Sequence, residues 1–521
     1  MVTLLDLLLS RARNTPDGVY FSFDGAPHTY AAVADGAFRV RDRLALLGVS
    51  PGASVLLFLG NSPMFFHAFF GALLHGAVPV PLSPRTGAGR ARAVAIDCVA
   101  AAALGDCDAG DALGAVGALG IPALTGPDAK GKTLRYDTPR PGPAAFIQYT
   151  SGSTGTPKGA LVSQRAMLAN VAAFAQRVEA GERDVFSSMM PLFDPMGLVC
   201  FGLAPLYVGA PLVLFPEDAL SIYPWLEGFG AHRVTVSGGS NTLLRLAVRM
   251  VASPVGYDLS SVRVLACGSE PIFPATLHRF EQAFAIPGRV KPAYGMAEAT
   301  LFVTLTGARE ECVVHASRSV SCGRPIDGVS VAIDVNGSAT RTPFEPGEIL
   351  VSSPSLMDRY VGATAAPPRF FEQSLLRTGD VGFLDDEGRL HVLGRKESLF
   401  VRGTVSIAPV DVEALSSERP EVRLAAAVGM PSGAAAGHRL ALVLEVGGEL
   451  LDNREKQRAI ARMICSEAHR RLGYQPDLVA FTARGRIPLA LNGKVQHAAL
   501  RHELSAGAFN ATSVVGVATL A

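Results

Sequence analysis

The stretch Tyr149 to Gly159, YTSGSTGTPKG, packs three glycines, three threonines, two serines and one lysine into eleven residues. Hydroxyls, an ammonium group and backbone N–H groups are the donors an anion needs. Glycine lets the backbone approach a ligand without a Cβ clash. Successive N–H groups in such turns form a concave anion site. These types at this spacing point to a bound polyphosphate. The G-x-x-x-x-G-K-S/T phosphate loop does not fit, because Pro157 stands five residues after Gly152 and Lys158 is followed by Gly159. The candidates to hold phosphate are Thr150, Ser151, Gly152, Ser153, Thr154, Gly155 and Lys158. A polar Ser/Gly/Thr linker has similar composition, but an internal Pro-Lys-Gly is less common in one.

The flanking segments must hold this loop in place. Ala144 to Tyr149 reads as a short buried strand, and Ser163 is placed to cap a helix starting near Gln164. Upstream, residues 1–140 alternate helical and strand patterns: strands at Val19–Phe23, Thr29-Tyr30 and Ser54–Leu59, and a helix over Ala31–Leu47 stopped by Gly48. Such alternation argues for α/β layering around a mostly parallel sheet. Ala91 to Leu119 reads as a further strand–helix unit. The apolar stretch Met64 to Leu82 is punctuated by His67, Gly71, His75, Gly76, Pro79 and Pro81, which suits a buried helix and strand rather than a membrane span. The N-terminal run has no basic residues ahead of its apolar part and reads as an amphipathic helix, not a signal peptide.

With 521 residues the chain exceeds one hydrophobic core, so two or more domains are expected. A net charge of +1 and no basic stripe argue against nucleic acid as partner. Seven cysteines without CxxC or zinc spacing suggest a reducing cytoplasm and buried, inert thiols. No Ser-His-Asp or Cys-His nucleophile stands in convincing context.

More segments follow the loop. Phe193-Asp194-Pro195 places a carboxylate among apolar residues, either as a cap for the next helix or as a pocket wall. Gly238-Gly239, before Ser240, either widens a pocket or makes a turn. Val262–Ala266 is a strand that runs into the small-residue turn Gly268-Ser269-Glu270. Then come Tyr294-Gly295-Met296-Ala297-Glu298, Arg377-Thr378-Gly379-Asp380, Gly394-Arg395-Lys396-Glu397 and Asn492-Gly493-Lys494. Asp385-Asp386-Glu387-Gly388 reads as a β-turn between strands.

In this order, the segments resemble those of the adenylate-forming superfamily, which includes acyl-CoA synthetases, peptide-synthetase adenylation domains and luciferases. The resemblance covers roughly residues 5 to 500 and is nearest the fatty acyl-AMP ligase branch, with Cys322-Gly323-Arg324-Pro325 matching in detail. It implies an α/β fold: a large N-terminal domain of layered α/β subdomains (1–394), a hinge (395–398) and a small mobile α+β C-terminal domain (399–521). By the same resemblance, Thr150 and the loop hold ATP phosphates and Glu298 binds Mg2+. Gly268, Ser269, Glu270, Tyr294 and Gly295 lie against adenine. Asp380 and Arg395 hold the ribose. Phe193, Asp194, Gly239, Ser240, Met296 and Ala297 line the acid pocket. Glu397 is the hinge residue, and Lys494 is the mobile lysine at the reacting anions.

The implied reaction is ATP-dependent activation of a carboxylic acid, then transfer to a pantetheine thiol, on CoA or an acyl carrier protein. Two departures bear on the substrate. Phe193-Asp194 resembles the Phe-Asp of amino-acid adenylation domains, which favours a polar or amino-substituted acid. The insertion that fatty acyl-AMP ligases carry between these two segments is absent or mostly trimmed between Val303 and Val320, so CoA stays open as acceptor. The tail beyond Ser505 carries no motif.

Overall fold

The structure, a computed structural model, describes residues 2–125, 142–150, 158–251, 256–315, 319–362, 368–372, 374–402, 405–431, 438–489, 495–509, 511 and 513–516. The apolar stretch near the N-terminus folds as helix Pro63–His75 and strand Val78–Leu82. Phe65, Phe66, Phe69 and Phe70 of that helix are all fully buried. No described helix is long and apolar enough to cross a membrane. Beside it lies helix Tyr30–Leu46, whose first turn is capped by the Thr29 hydroxyl. That cap moves Tyr30 from the expected strand into the helix, and the strand is Ala26–Thr29.

Two largely parallel sheets form the layers. Four parallel strands run in the order Val78–Leu82, Ser54–Phe58, Ala100–Gly105, Ala123–Thr125. A nine-stranded sheet is parallel from Val290–Gly295 through Val264–Gly268, Val236–Ser240, Phe186–Ser188 and Leu212–Leu214 to Val19–Phe23, with antiparallel strands at its edges. In open sheets of this kind, ligands sit beyond the carboxyl ends of the strands. Three of those ends, Ser240, Gly268 and Gly295, are candidate site positions, and they lie on neighbouring strands.

Two smaller sheets border these ends. Ala144–Thr150 and Lys158–Ser163 form an antiparallel hairpin, joined by Arg359–Val361. Leu375–Leu384 pairs with Gly347–Ser352 on one side and Leu390–Arg395 on the other. The turn at Asp385–Gly388 closes the second pair as expected, with Gly388 at φ +73°.

Beyond Phe400 the chain builds its own sheet and core. Strands Val422–Pro431, His438–Val446, Leu478–Thr482 and Ser513–Gly516 form the sheet. Ile407, Leu442, Ile464 and Phe481 belong to a core cluster drawn wholly from this part. Within the tail, Ser513–Gly516 is an edge strand, and its Ser513 hydroxyl donates to Gln457 at 2.6 Å. All seven cysteines are free; Cys107 is exposed and Cys312 half-buried, so the expectation of buried thiols holds for the other five.

Candidate active site

The hairpin sets the polyphosphate candidates. Thr150 pairs with Lys158 and Tyr149 with Gly159. Ser163 caps helix Gln164–Arg177 as its position suggested. Ser151, Gly152, Ser153, Thr154 and Gly155 lie outside the described residues, as does the Thr150 side chain. The third strand places Tyr360 opposite Ala160 and Val361 opposite Gly159. The Lys158 ammonium stands 5.9 Å from the Tyr360 ring centroid. Sequence reasoning missed Tyr360; nothing in its local pattern marks it, because only strand pairing brings it here.

Glu298 sits in the short turn Ala297–Ala299 that follows strand Val290–Gly295. The Tyr360 hydroxyl donates to Glu298 Oε1 at 2.7 Å. The Met357 N–H donates to the Glu298 carbonyl at 2.8 Å. The turn closes tightly: Thr300 has φ +67° and ψ −56°, and Leu301 N–H donates to Ala299 O. This is a γ-turn conformation, costly for a β-branched residue. It persists because the buried Thr300 hydroxyl donates to Ser355 O at 2.6 Å. A Cβ at Gly295 would lie 2.0 Å from Leu301 O, so only glycine fits where the turn returns.

Four residues before Glu298, the Tyr294 hydroxyl donates to Asp380 Oδ2 at 2.6 Å. Arg395, directly across the hairpin from Asp380, bonds Oδ1 through Nε at 2.9 Å. Burial raises the Asp380 pKa, Arg395 and Tyr294 pull it down, and the net shift is upward. The Tyr294 phenol is itself pushed well up by burial and by Asp380. It therefore stays a donor. A carboxylate has about four acceptor positions, so Asp380 keeps capacity for two further hydroxyl donors. The strand segment before it is braced by Glu348, which accepts from Gly379 N–H, Arg377 and Lys396. Glu397 is exposed, inside the turn closed by the Ser398 N–H donating to Arg395 O.

The acid-side candidates meet around a wide helical turn. Asp194 Oδ1 accepts from Met196 N–H at 3.1 Å, and Asp194 O accepts from Leu198 N–H. This gives Asp194 the capping geometry at the head of the π-helix Met196–Leu203, an element common at functional sites. The Gln148 amide donates to Phe193 O at 3.1 Å and ties this segment to the phosphate hairpin. The Ser269 hydroxyl contacts the Met196 sulfur at 3.5 Å, with Ser269 in the left-handed region. Gly238 and Gly239 belong to strand Val236–Ser240 and form no turn. Cβ atoms there would come within 2.6 Å of the Phe201 ring and 2.7 Å of Leu243, so neighbouring side chains fill the space that the glycines leave.

Two candidates have structural work of their own. The Ser240 hydroxyl caps helix Asn241–Met250. Both Glu270 oxygens are taken by Thr242, one by its N–H and one by its hydroxyl. A carboxylate at a helix N-terminus is favoured by the helix dipole. Gly268 ends its strand beside Ala293. Met296 packs partly buried near Val331 and Ile349, and Ala297 lies with Ala160, Met357 and Tyr360.

Lys494 lies outside the described residues, bracketed by the pairing of Leu489 with Val495. A Ser-His-Asp array does occur: Ser319 Oγ lies 3.1 Å from His391 Nδ1, and His391 Nε2 lies 3.4 Å from Asp385. It is buried under the stacked Phe383 ring, and Asp385 is occupied by Arg389, so it serves structure. Among the described residues no cluster of three or more His, Cys, Asp or Glu could hold a metal alone. Glu298 Oε2, with no partner among those residues, suits a cation that completes its shell with phosphate oxygens, as Mg2+ does.

The chain has known relatives. The family model described as AMP-binding enzyme matches residues 8–361. The long-chain-fatty-acid–AMP ligase FadD26 of Mycobacterium marinum is 30% identical over a 580-residue alignment, covering 98% of each chain. The medium-chain-fatty-acid–acyl-carrier-protein ligase TtuA of Teredinibacter turnerae is 31% identical over 422 residues, 71% of this chain and 64% of that protein. A solved structure of fatty acyl-adenylate ligases from E. coli and L. pneumophila superposes with a TM-score of 0.82 at 24% identity, covering 97% of this chain and 98% of that one. With a matching fold, a full-length relative and the family match across most of its length, this chain belongs to the AMP-binding enzyme family and is an adenylate-forming ligase.

Proposed function

We propose that the chain activates a fatty acid with ATP and passes the acyl group to a pantetheine thiol on an acyl carrier protein or CoA. The observation that carries this reading is one segment. Tyr294 bonds the buried Asp380, and four residues later Glu298 accepts from Tyr360, whose ring lies under the Lys158 ammonium. A ribose-holding carboxylate and a metal-holding carboxylate are thus set by the same strand end and turn.

The acid's carboxylate oxygen attacks the α-phosphorus of ATP, the α–β bridging bond breaks, and pyrophosphate leaves. The barrier is mainly charge repulsion and alignment, so positioning and electrostatic groups supply the catalysis. Asp380 accepts the ribose hydroxyls, with Arg395 and Tyr294 holding it. Thr150, Ser151, Ser153, Thr154 and Lys158 hold the outer phosphates, and Gly268, Ser269, Tyr294 and Gly295 flank the base. Glu298 would hold Mg2+, whose charge would offset that of the phosphates when it is bound. Lys494 draws the two anions together. In the second half-reaction the division at 395–398, with Glu397 as pivot, moves residues 399–521 so that Lys494 leaves the reacting anions. The separate core beyond Phe400 supports such a division, and seven free cysteines suit a cytoplasmic setting.

Relatives named for fatty acids support the acid class. The capping bond of Asp194 also favours it over an amino acid, since one oxygen already serves Met196. Phe193, Gly239, Ser240, Met296 and Ala297 then line an apolar pocket. The test is pyrophosphate release with Mg-ATP against medium and long fatty acids, aryl acids and amino acids, with Lys494→Ala as control. Release with fatty acids, lost in Lys494→Ala, is expected. Release only with amino-substituted acids would make Asp194 a substrate ligand and overturn the acid class.

A further inference from the structure

Tyr360 meets both charged ends of the described site. Its hydroxyl donates to Glu298 Oε1 at 2.7 Å, and its ring lies under the Lys158 ammonium at 5.9 Å. A cation at that distance over an aromatic face is attracted by the ring's quadrupole. The phenol is therefore held between the cation of the phosphate hairpin and the carboxylate of the Glu298 turn.

Both partners are anchored independently of that bond. Tyr360 is paired in register with Ala160, next to the phosphate loop's exit strand. The Glu298 main chain is tied to the same segment by Met357 N–H, three residues before Tyr360. Ala160, Ala297, Met357 and Tyr360 pack as one apolar cluster beneath the pair. A lone glutamate on a short turn would sample several rotamers. One hydrogen bond to Oε1, given from an anchored donor, selects the rotamer in which Oε2 is presented.

We propose that Tyr360 is a positioning residue for the Glu298 carboxylate, fixing one oxygen so that the other meets the divalent cation accompanying the nucleotide. This rests on the reading of Glu298 as metal ligand given above. Carboxylates that ligate metals are commonly hydrogen-bonded in turn, and loss of that support weakens the metal by about ten- to a hundredfold. A tyrosine serving only to fill the core would change stability and leave metal affinity alone.

The test uses the full chain carrying Tyr360→Phe, which keeps the ring under Lys158 and removes the hydroxyl. Mn2+ is titrated by electron paramagnetic resonance in the presence of α,β-methylene-ATP. The half-saturating Mn2+ concentration is expected to rise about tenfold, and the Mg2+ requirement of pyrophosphate release to rise with it. The KM for the acid at saturating Mg2+ is expected to stay within about twofold, as a role confined to the metal carboxylate requires. Unchanged Mn2+ half-saturation overturns the proposal. Glu298→Gln, measured alongside, separates the two levels. If it weakens Mn2+ while Tyr360→Phe does not, the metal ligand stands and the positioning role falls. If neither weakens Mn2+, the reading of Glu298 falls and the positioning role falls with it.

Discussion

Asp380 shows why a single side chain can carry so much of the site. It is buried, yet one oxygen takes the Tyr294 hydroxyl and the other the Arg395 guanidinium. A buried charge without such partners would neutralise instead. Asp380→Asn keeps the shape, removes the charge and leaves Arg395 without its ion pair. The kcat/KM for ATP is expected to fall about a hundredfold, or roughly 2.7 kcal/mol of transition-state binding. The KM for the acid is expected to change less than about threefold. Equal losses for both substrates in steady-state kinetics would instead mean that the substitution had disturbed the whole pocket.

Elements set where such residues stand, and helix Pro409–Ser417 carries a built-in pH response. Asp411 lies in its first turn, accepts from the Tyr474 hydroxyl at 3.3 Å, and is pushed up to about 7, chiefly by burial. The folded state therefore binds the proton more tightly than the unfolded chain, whose carboxyl titrates near 3.8. The associated stability is fully present below about pH 4 and is lost as pH rises through about 7. Asp411→Asn is expected to flatten the dependence of Tm on pH over that window and to raise Tm at pH 8 by about 4 °C. A mutant whose Tm follows the same pH curve as the parent would show that another group controls it.

At the scale of the whole molecule, arginines from two N-terminal helices grip the C-terminal part. Arg279 donates to Ser417 O and Glu418 O, Arg249 to Val422 O and Arg423 O, and Arg245 to the Ser417 hydroxyl. Ser417 and Glu418 end helix Pro409–Ser417, where the helix dipole favours cations. These bonds must break if residues 399–521 rotate between half-reactions. Replacing Arg249 and Arg279 together by Ala is expected to speed protease cleavage around residues 395–404 about fivefold, the effect of a contact worth about 1 kcal/mol. An unchanged cleavage rate would show that these arginines do not hold the two parts together.

The boundary between sequence and structure follows physical range. Local chemistry was legible: Ser163 as a cap, a strand over Val264–Ala266 and the turn at Asp385–Gly388 all follow from neighbouring residues. The resemblance of the ordered segments to a known family also singled out Asp380, Glu298 and Arg395, because motif order needs no knowledge of contacts. The tertiary structure alone decided what these residues touch. Tyr294 meets Asp380 across 86 positions and Tyr360 meets Glu298 across 62, and neither pair has a periodicity to read. Gly238-Gly239 suggested a turn or an opening, and packing against Phe201 and Leu243 made it a strand interior. Glu270 suggested a ligand contact, and the N-terminus of helix Asn241–Met250 claimed both its oxygens. Residue type sets which interactions a side chain can make, and only the folded chain sets which partner comes within bonding distance.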